Sequence, residues 1–312
     1  MGQHDSAVWL GFTGLVVGLL VLDLAVLNRR SHVLSFKEAI AWSSGLVALA
    51  HLFGLFLLWQ EGTQHALEFY TGYLIELSLS VDNLFVFLLI FSYFDVRPEA
   101  QPKVLKWGIL GAIVMRLIMI TLGALLLQRF HWIVYVFGAI LVVTGIKMYV
   151  QKDQEIVQLE RNPVVRLARR LLPIEKAYDG TRFFTRTSDG RLLATPLLLV
   201  VLVVEWSDLV FAIDSIPAIF AITRDPFLVY SSNVFAILGL RAMFFVLAGM
   251  LDKFVYLKPG VAFILVFVGL KMTLSGWLHI PTSLSLGVIV VVLATAIGLS
   301  LRRSARESRL PA

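Results

Sequence analysis

Two stretches of this 312-residue chain combine an apolar, membrane-length sequence with acids that a bilayer does not tolerate cheaply. Val200 to Phe220 reads V-V-L-V-V-E-W-S-D-L-V-F-A-I-D-S-I-P-A-I-F and carries Glu205, Asp208 and Asp214. Tyr73 to Phe91 carries Glu76, Asp82 and Asn83. Each carboxylate near a bilayer centre costs roughly 2.5–3.5 kcal/mol on insertion scales, so the groups must be compensated. Five carboxylates with an amide and hydroxyls form a hard, all-oxygen ligand set. Such a set suits Mg²⁺, Ca²⁺ or Mn²⁺ and disfavours Cu(I) and structural Zn²⁺, which want thiolate or imidazole. The competing reading is a buried ion-pair network with Arg116 and Arg241 and no metal. Two arginines cannot neutralise five carboxylates, so they read as counter-charges that hold the cluster together when the cation is absent. Protonation of the carboxylates would weaken metal binding, which makes proton exchange for the cation a natural coupling scheme.

The two stretches share a pattern of an acid, five residues, then Asp and a small polar residue: Glu76 with Asp82 and Asn83, Asp208 with Asp214 and Ser215. A second register, pairing Asp82-x-x-Phe85 with Asp208-x-x-Phe211, also fits. On a straight helix Glu205, Asp208 and Ser215 share a face, whereas Asp214 stands about 120° from Asp208. Pro217 lacks an N–H and clashes with the Ile213 carbonyl, so it predicts an opened turn that swings Asp214 inward. The first stretch has no proline, and only Ser78, Ser80 and Asn83 could support a distortion there.

The elements that must position these groups are transmembrane helices. The composition is 58% hydrophobic and 15% charged, far from a soluble domain, which predicts an all-α polytopic membrane protein lodged in a lipid bilayer. Nine apolar runs approach or exceed the roughly 20 residues a span requires. They are Val8 to Leu27, Ala39 to Trp59, Phe69 to Phe94, Val104 to Leu127, Trp132 to Val150, Pro196 to Ile222, Phe227 to Leu251, Pro259 to Trp277 and Ser283 to Leu301. The first has neither a basic leader nor a small-residue cleavage site, so it reads as a retained helix. Lys and Arg crowd alternate loops, nine of them between Lys152 and Arg191, while the intervening loops hold only Arg129 and Arg224. The expected topology therefore puts the N-terminus outside and the C-terminus in the cytoplasm.

An internal repeat organises the chain. Each acidic motif is followed by I-L-G ahead of an intramembrane arginine (Ile109 to Gly111 before Arg116, Ile237 to Gly239 before Arg241), and each unit closes on a matching tetrapeptide, G-I-K-M at 145–148 and G-L-K-M at 269–272. Three spans per unit is an odd number, so the repeats should be inverted, with the site where they meet. The expected units are residues 1–68 (two helices), 69–150 (first repeat), 151–193 (basic cytoplasmic loop), 194–277 (second repeat) and 278–312 (last helix and basic tail). Within the loop, Pro163 to Leu172 reads either as a basic amphipathic helix on the inner leaflet or as a solvated connector.

The absence of cysteine excludes disulfides, thiolate metal sites and iron–sulfur clusters. The +6 charge sits in loops and needs no nucleic acid to explain it. There is no nucleotide-binding G-x-x-x-x-G-K-[ST] and no H-E-x-x-H, so no enzymatic activity is expected.

The motifs G-Y-L-I-E-L-S-L-S-V-D-N (72–83), V-E-W-S-D-L-V-F-A-I-D-S-I-P-A-I-F-A-I-T (204–223) and S-N-V-F-A-I-L-G-L-R-A (232–242) resemble the TerC family of integral membrane proteins, in its Alx-like branch. The resemblance implies manganese efflux, and tellurium resistance by name, from a bacterial inner membrane. It places Glu76, Asp82, Glu205, Asp208 and Asp214 on the family's acidic membrane positions. The leading expectation is a Mn²⁺ exporter with no permanent cofactor. The alternative is a membrane assembly or metal-delivery factor that docks other membrane proteins without net transport.

Overall fold

A computed structural model describes residues 6–27, 35–130, 132–150, 163–175, 177–186, 191–248, 256–274, 277 and 280–307. Among the described residues a helix covers each of the nine apolar runs: α1 (Ser6–Leu27), α2 (Phe36–Glu61), α3 (Thr63–Tyr93), α4 (Gln101–Arg129), α5 (Ile133–Val150), α7 (Pro196–Phe220), α8 (Pro226–Ala248), α9 (Leu257–Thr273) and α10 (Thr282–Glu307). Six of these, α2, α4, α5, α7, α8 and α10, are long and apolar enough to cross a membrane. α9 has 17 residues, and α3, of 31 residues, carries Glu76, Asp82 and Asn83 within its apolar run.

Local chemistry sets the helix ends. Ser35 and Glu38 form a reciprocal capping box at the start of α2. Gly62, at φ 88°, takes the left-handed conformation that lets α2 turn directly into α3. Asp225 Oδ1 accepts from the Phe227 amide at 2.8 Å and caps α8.

Burial assigns the roles. In α8, 78% of the apolar window is buried, against 17–39% in the other five spans, so α8 is the core and the others turn a face to lipid. α8 packs on α2, α3 and α4, while α3 also meets α7, and α4 meets α7. Phe12, Phe53, Phe69, Phe227 and Phe235 clasp α1, α2, α3 and α8 together, with the Phe53 ring 5.0 Å from Phe235 and 5.1 Å from Phe69. α5 makes its most extensive contact with α9, backbone against backbone. A Cβ on Gly138 would come within 2.9 Å of the Gly269 carbonyl, and one on Gly145 within 2.7 Å of the Ala262 carbonyl. Without a hydrophobic drive between helices in lipid, such close approach is what binds them.

The connection between α5 and α7 is partly folded. α6 (Pro163–Leu171) lies against α7 with Val165 and Ala168 buried and Arg166 and Arg170 exposed, so a basic amphipathic helix is present where the sequence allowed either a helix or a connector. A short antiparallel hairpin follows, β1 (Phe184–Arg186) with β2 (Leu192–Ala194). It is tied to one end of the bundle: Tyr178 donates to the Phe94 carbonyl at 2.5 Å, Lys103 Nζ donates to the Thr181 carbonyl at 2.5 Å, and Lys103 also sits 4.3 Å over the Phe183 ring.

Candidate functional site

Where α3, α4, α7 and α8 cross, the guanidinium of Arg116 is sealed at 0% exposure, and every group it meets is polar. Nε and Nη2 form a fork on Asp208, at 3.4 Å to Oδ2 and 3.0 Å to Oδ1. Nη1 donates to Glu76 Oε1, to Ser215 Oγ at 3.2 Å and to Asn233 Oδ1 at 2.5 Å. The Asn233 amide closes the ring by donating to Glu76 Oε2 at 3.3 Å. Glu76 and Asn233 are 0% exposed and Asp208 2%. Five acceptors surround the guanidinium, three of them on Nη1, whose two hydrogens they share, and a planar, always-charged fork is the side chain suited to bind two acids at once.

Each helix contributes for a local reason. Asp208 and Ser215, seven residues apart, present to the same side of α7, as the helical period requires. Gly111, about one and a half turns before Arg116 on α4, leaves room for Glu205. A Cβ at Gly111 would collide with the Glu205 carboxylate. Glu205 is half-buried beside the cluster, close enough to Asp208 for their like charges to act on each other.

The structure gathers Glu76, Asp208, Ser215 and Arg116 and sets Glu205 at their edge, but it corrects the expected place of Asp214. α7 is helical through Pro217 to Phe220, and no opened turn swings Asp214 inward. Asp214 instead accepts from the Thr144 hydroxyl of α5 at 2.9 Å, within the field of Lys147. The physical reason is that Pro217 lies one turn from the helix end, so the missing N–H is absorbed by termination of the helix rather than by a break in it. Arg241 is buried on α8, at 4% exposure. Asp82 is on α3, and its side chain lies outside the described residues. Asn83 is 2% exposed, and its amide nitrogen has no hydrogen-bond partner among the described residues. Among the described residues no three of His, Cys, Asp and Glu converge closely enough to hold a metal as they stand.

Sequence reasoning missed Asn233. The signal was there in Ser231-Ser232-Asn233, three polar residues within a helix that is otherwise the most apolar-facing core element. An amide in such a place asks for hydrogen-bond partners as an acid does.

A bundle of membrane-length helices closed around a sealed, charged centre is an integral, multi-pass membrane protein. Residues 61–308 match the family described as the integral membrane protein TerC family, and the chain belongs to it. Over 300 residues it is 51% identical to the membrane protein STKORF319 of Myxococcus xanthus, covering 96% of this chain and 93% of that one. It is 48% identical over 295 residues, 92% and 91% of the two chains, to a protein of Escherichia coli K12 provisionally named membrane-bound redox modulator Alx. A Rickettsia felis membrane protein is 40% identical over 295 residues, 95% and 97% of the chains. No solved structure matches the chain.

Proposed function

We propose that the protein exports a hard divalent cation across the bacterial inner membrane, with Mn²⁺ the cargo, and that Arg116 is a tethered stand-in for that cation. The observation that carries this reading is the ring of oxygens around Arg116, two carboxylates, an amide and a hydroxyl. With Arg116 in place, Glu76 and Asp208 leave one negative charge in excess; a dication in its place would neutralise both. The donors are those that hard cations select. If Arg116 swings aside, the ring becomes a site; if the ion leaves, Arg116 returns and the buried carboxylates are never bare. Glu205 adds a further carboxylate at the edge; Asn83 and Asp214 are further polar groups on α3 and α7, and Asp82 is a candidate ligand by its sequence position. Arg241 is the corresponding counter-charge on α8.

The exchange of partners between the two halves supports an inverted-repeat bundle of nine spans. α3 packs on α8 as α7 packs on α4, and α5 meets α9 across a common seam. The Lys and Arg distribution supports an external N-terminus and a cytoplasmic C-terminus. The protein on this reading is a transporter and not an enzyme. The redox role in the name of the Escherichia coli relative is one this chain cannot perform with thiols of its own, since it has none.

Purified protein in Mn²⁺-loaded liposomes tests the proposal. Wild type should release Mn²⁺, Asp208→Asn should lose at least tenfold in rate, and a size-exclusion profile like that of wild type should show that the variant is folded. Undiminished release by folded Asp208→Asn would reject the site.

A further inference from the structure

A cavity of about 320 Å³ opens at the end of the bundle away from the hairpin, between the start of α3 and the ends of α7 and α9. Gln64, Glu68, Thr223, Arg224 and Lys271 make its wall polar, and Phe220 lies on its inner side. Resting on the transport reading, we infer that this cavity is the outward mouth of the ion path and that Phe220 is the plug between it and the Arg116 cluster.

The helices run straight from one to the other. On α7, Phe220 is five residues beyond Ser215, about 7.5 Å along the axis, and on α3, Glu68 is eight residues before Glu76, about 12 Å. Apolar side chains fill the intervening layer: Phe69, Ile216 and Ile219 are all buried, and Phe220 is 4% exposed. The Phe220 ring is seated by a glycine, for a Cβ on Gly123 of α4 would come within 2.8 Å of it. Gly123 therefore has a use on α4 that its apolar surroundings do not reveal, which is to let an aromatic ring close the layer.

The ring also has the means to move. Pro217, three residues earlier, gives no amide to the Ile213 carbonyl, so the last turn of α7 is held by one hydrogen bond fewer than a normal turn. Beyond the helix's own ladder it is held by the Ala221 amide on the Pro217 carbonyl at 3.0 Å and by the Ile222 and Thr223 amides on the Ile219 carbonyl at 2.8 and 3.0 Å. A small rotation of this turn would lift Phe220 off Gly123 without disturbing Asp208 or Ser215, which lie on the other side of the proline.

Beyond the plug the wall suits release rather than storage. The Glu68 carboxylate is engaged by Gln64 Nε2 at 2.6 Å, and Lys271, buried at 9% exposure, donates to Ser285 Oγ at 2.9 Å. Two fixed cations, Lys271 and Arg224, face one carboxylate there, so a cation that passes Phe220 finds water and no net attraction.

The chain contains no cysteine, so single cysteines can be introduced into the whole protein in proteoliposomes without background. A cationic, membrane-impermeant methanethiosulfonate is the probe, applied to the face from which Gln64→Cys reacts. Gln64→Cys, at an exposed position of the cavity wall, should react readily and Ser215→Cys hardly at all. Adding Phe220→Ala, or separately Gly123→Ala, should raise the Ser215→Cys rate at least tenfold, while Ile237→Cys in the core of α8 stays unlabelled and reports that the bundle is folded. Equal labelling of Gln64→Cys and Ser215→Cys with Phe220 intact would overturn the inference. So would an unchanged Ser215→Cys rate in either folded variant. Labelling needs no cargo, so a chain that moves no Mn²⁺ can still show the plug, and a working transporter indifferent to Phe220 would sink the plug alone.

Discussion

Gly111 and Glu205 show how closely single residues are specified around the cluster. The carboxylate of Glu205 lies where a methyl group on Gly111 would be, so Gly111→Ala must push Glu205, α4 or both. We expect a loss of about 1–3 kcal/mol, the usual range for overpacking a filled interior. Thermal unfolding in detergent would measure it. In a Glu205→Ala background the same substitution should be close to neutral, and a loss that persisted there would place the strain elsewhere. The neighbouring Gly239, which follows I-L just as Gly111 does, has no such duty: a Cβ there would meet only Met243 Sδ at 3.7 Å, an ordinary contact. The repeat therefore copies the residue without copying its environment, and Arg116 with its five acceptors cannot be inferred from the motif that precedes it.

Among the elements, the hairpin at the far end of the bundle leads into the acidic helix, which itself packs on α3 and α4. β2 leads through Thr195 straight into α7, and Tyr178 ties the same segment to the last carbonyls of α3. Burial, and after it the negative charge of Asp95, raise the Tyr178 hydroxyl above the ordinary tyrosine value of 10.0. A group whose value is raised on folding contributes its stability at lower pH and loses it as pH climbs through the raised value. Limited proteolysis of residues 174–195 should therefore be slow up to about pH 10 and accelerate above it. Tyr178→Phe, which removes a hydrogen bond worth about 0.5–1.5 kcal/mol, should cleave faster at neutral pH and lose most of the alkaline step. A wild-type profile flat to pH 12, in conditions where a neutral control peptide bond is cleaved normally, would show that the tie does not hold the hairpin.

For the whole molecule the governing quantity is charge in a dry interior. Two carboxylates around one guanidinium leave an imbalance that a proton on either acid, or a dication in place of the arginine, would remove. On the proposed transport reading proton exchange for Mn²⁺ is expected: collapsing the pH gradient across Mn²⁺-loaded vesicles should abolish net release, and release at an unchanged rate would refute the coupling. The sequence by itself determined that the chain is helical, apolar and membrane-bound, which helices carry acids, and that the family is TerC, because composition, run length and motif are properties of the chain alone. It also marked Glu76, Asp208, Ser215 and Arg116, since a charge in an apolar run is conspicuous wherever it points. Only the tertiary structure decided that one arginine serves both acids, that Asn233 bridges them, and that Asp214 turns away to Thr144 on α5. These outcomes depend on the rotation of each helix about its axis and on which neighbour it meets. Both are set by close approach at glycines such as Gly111, Gly138 and Gly269, whose partners are distant in sequence and leave no periodic trace in it.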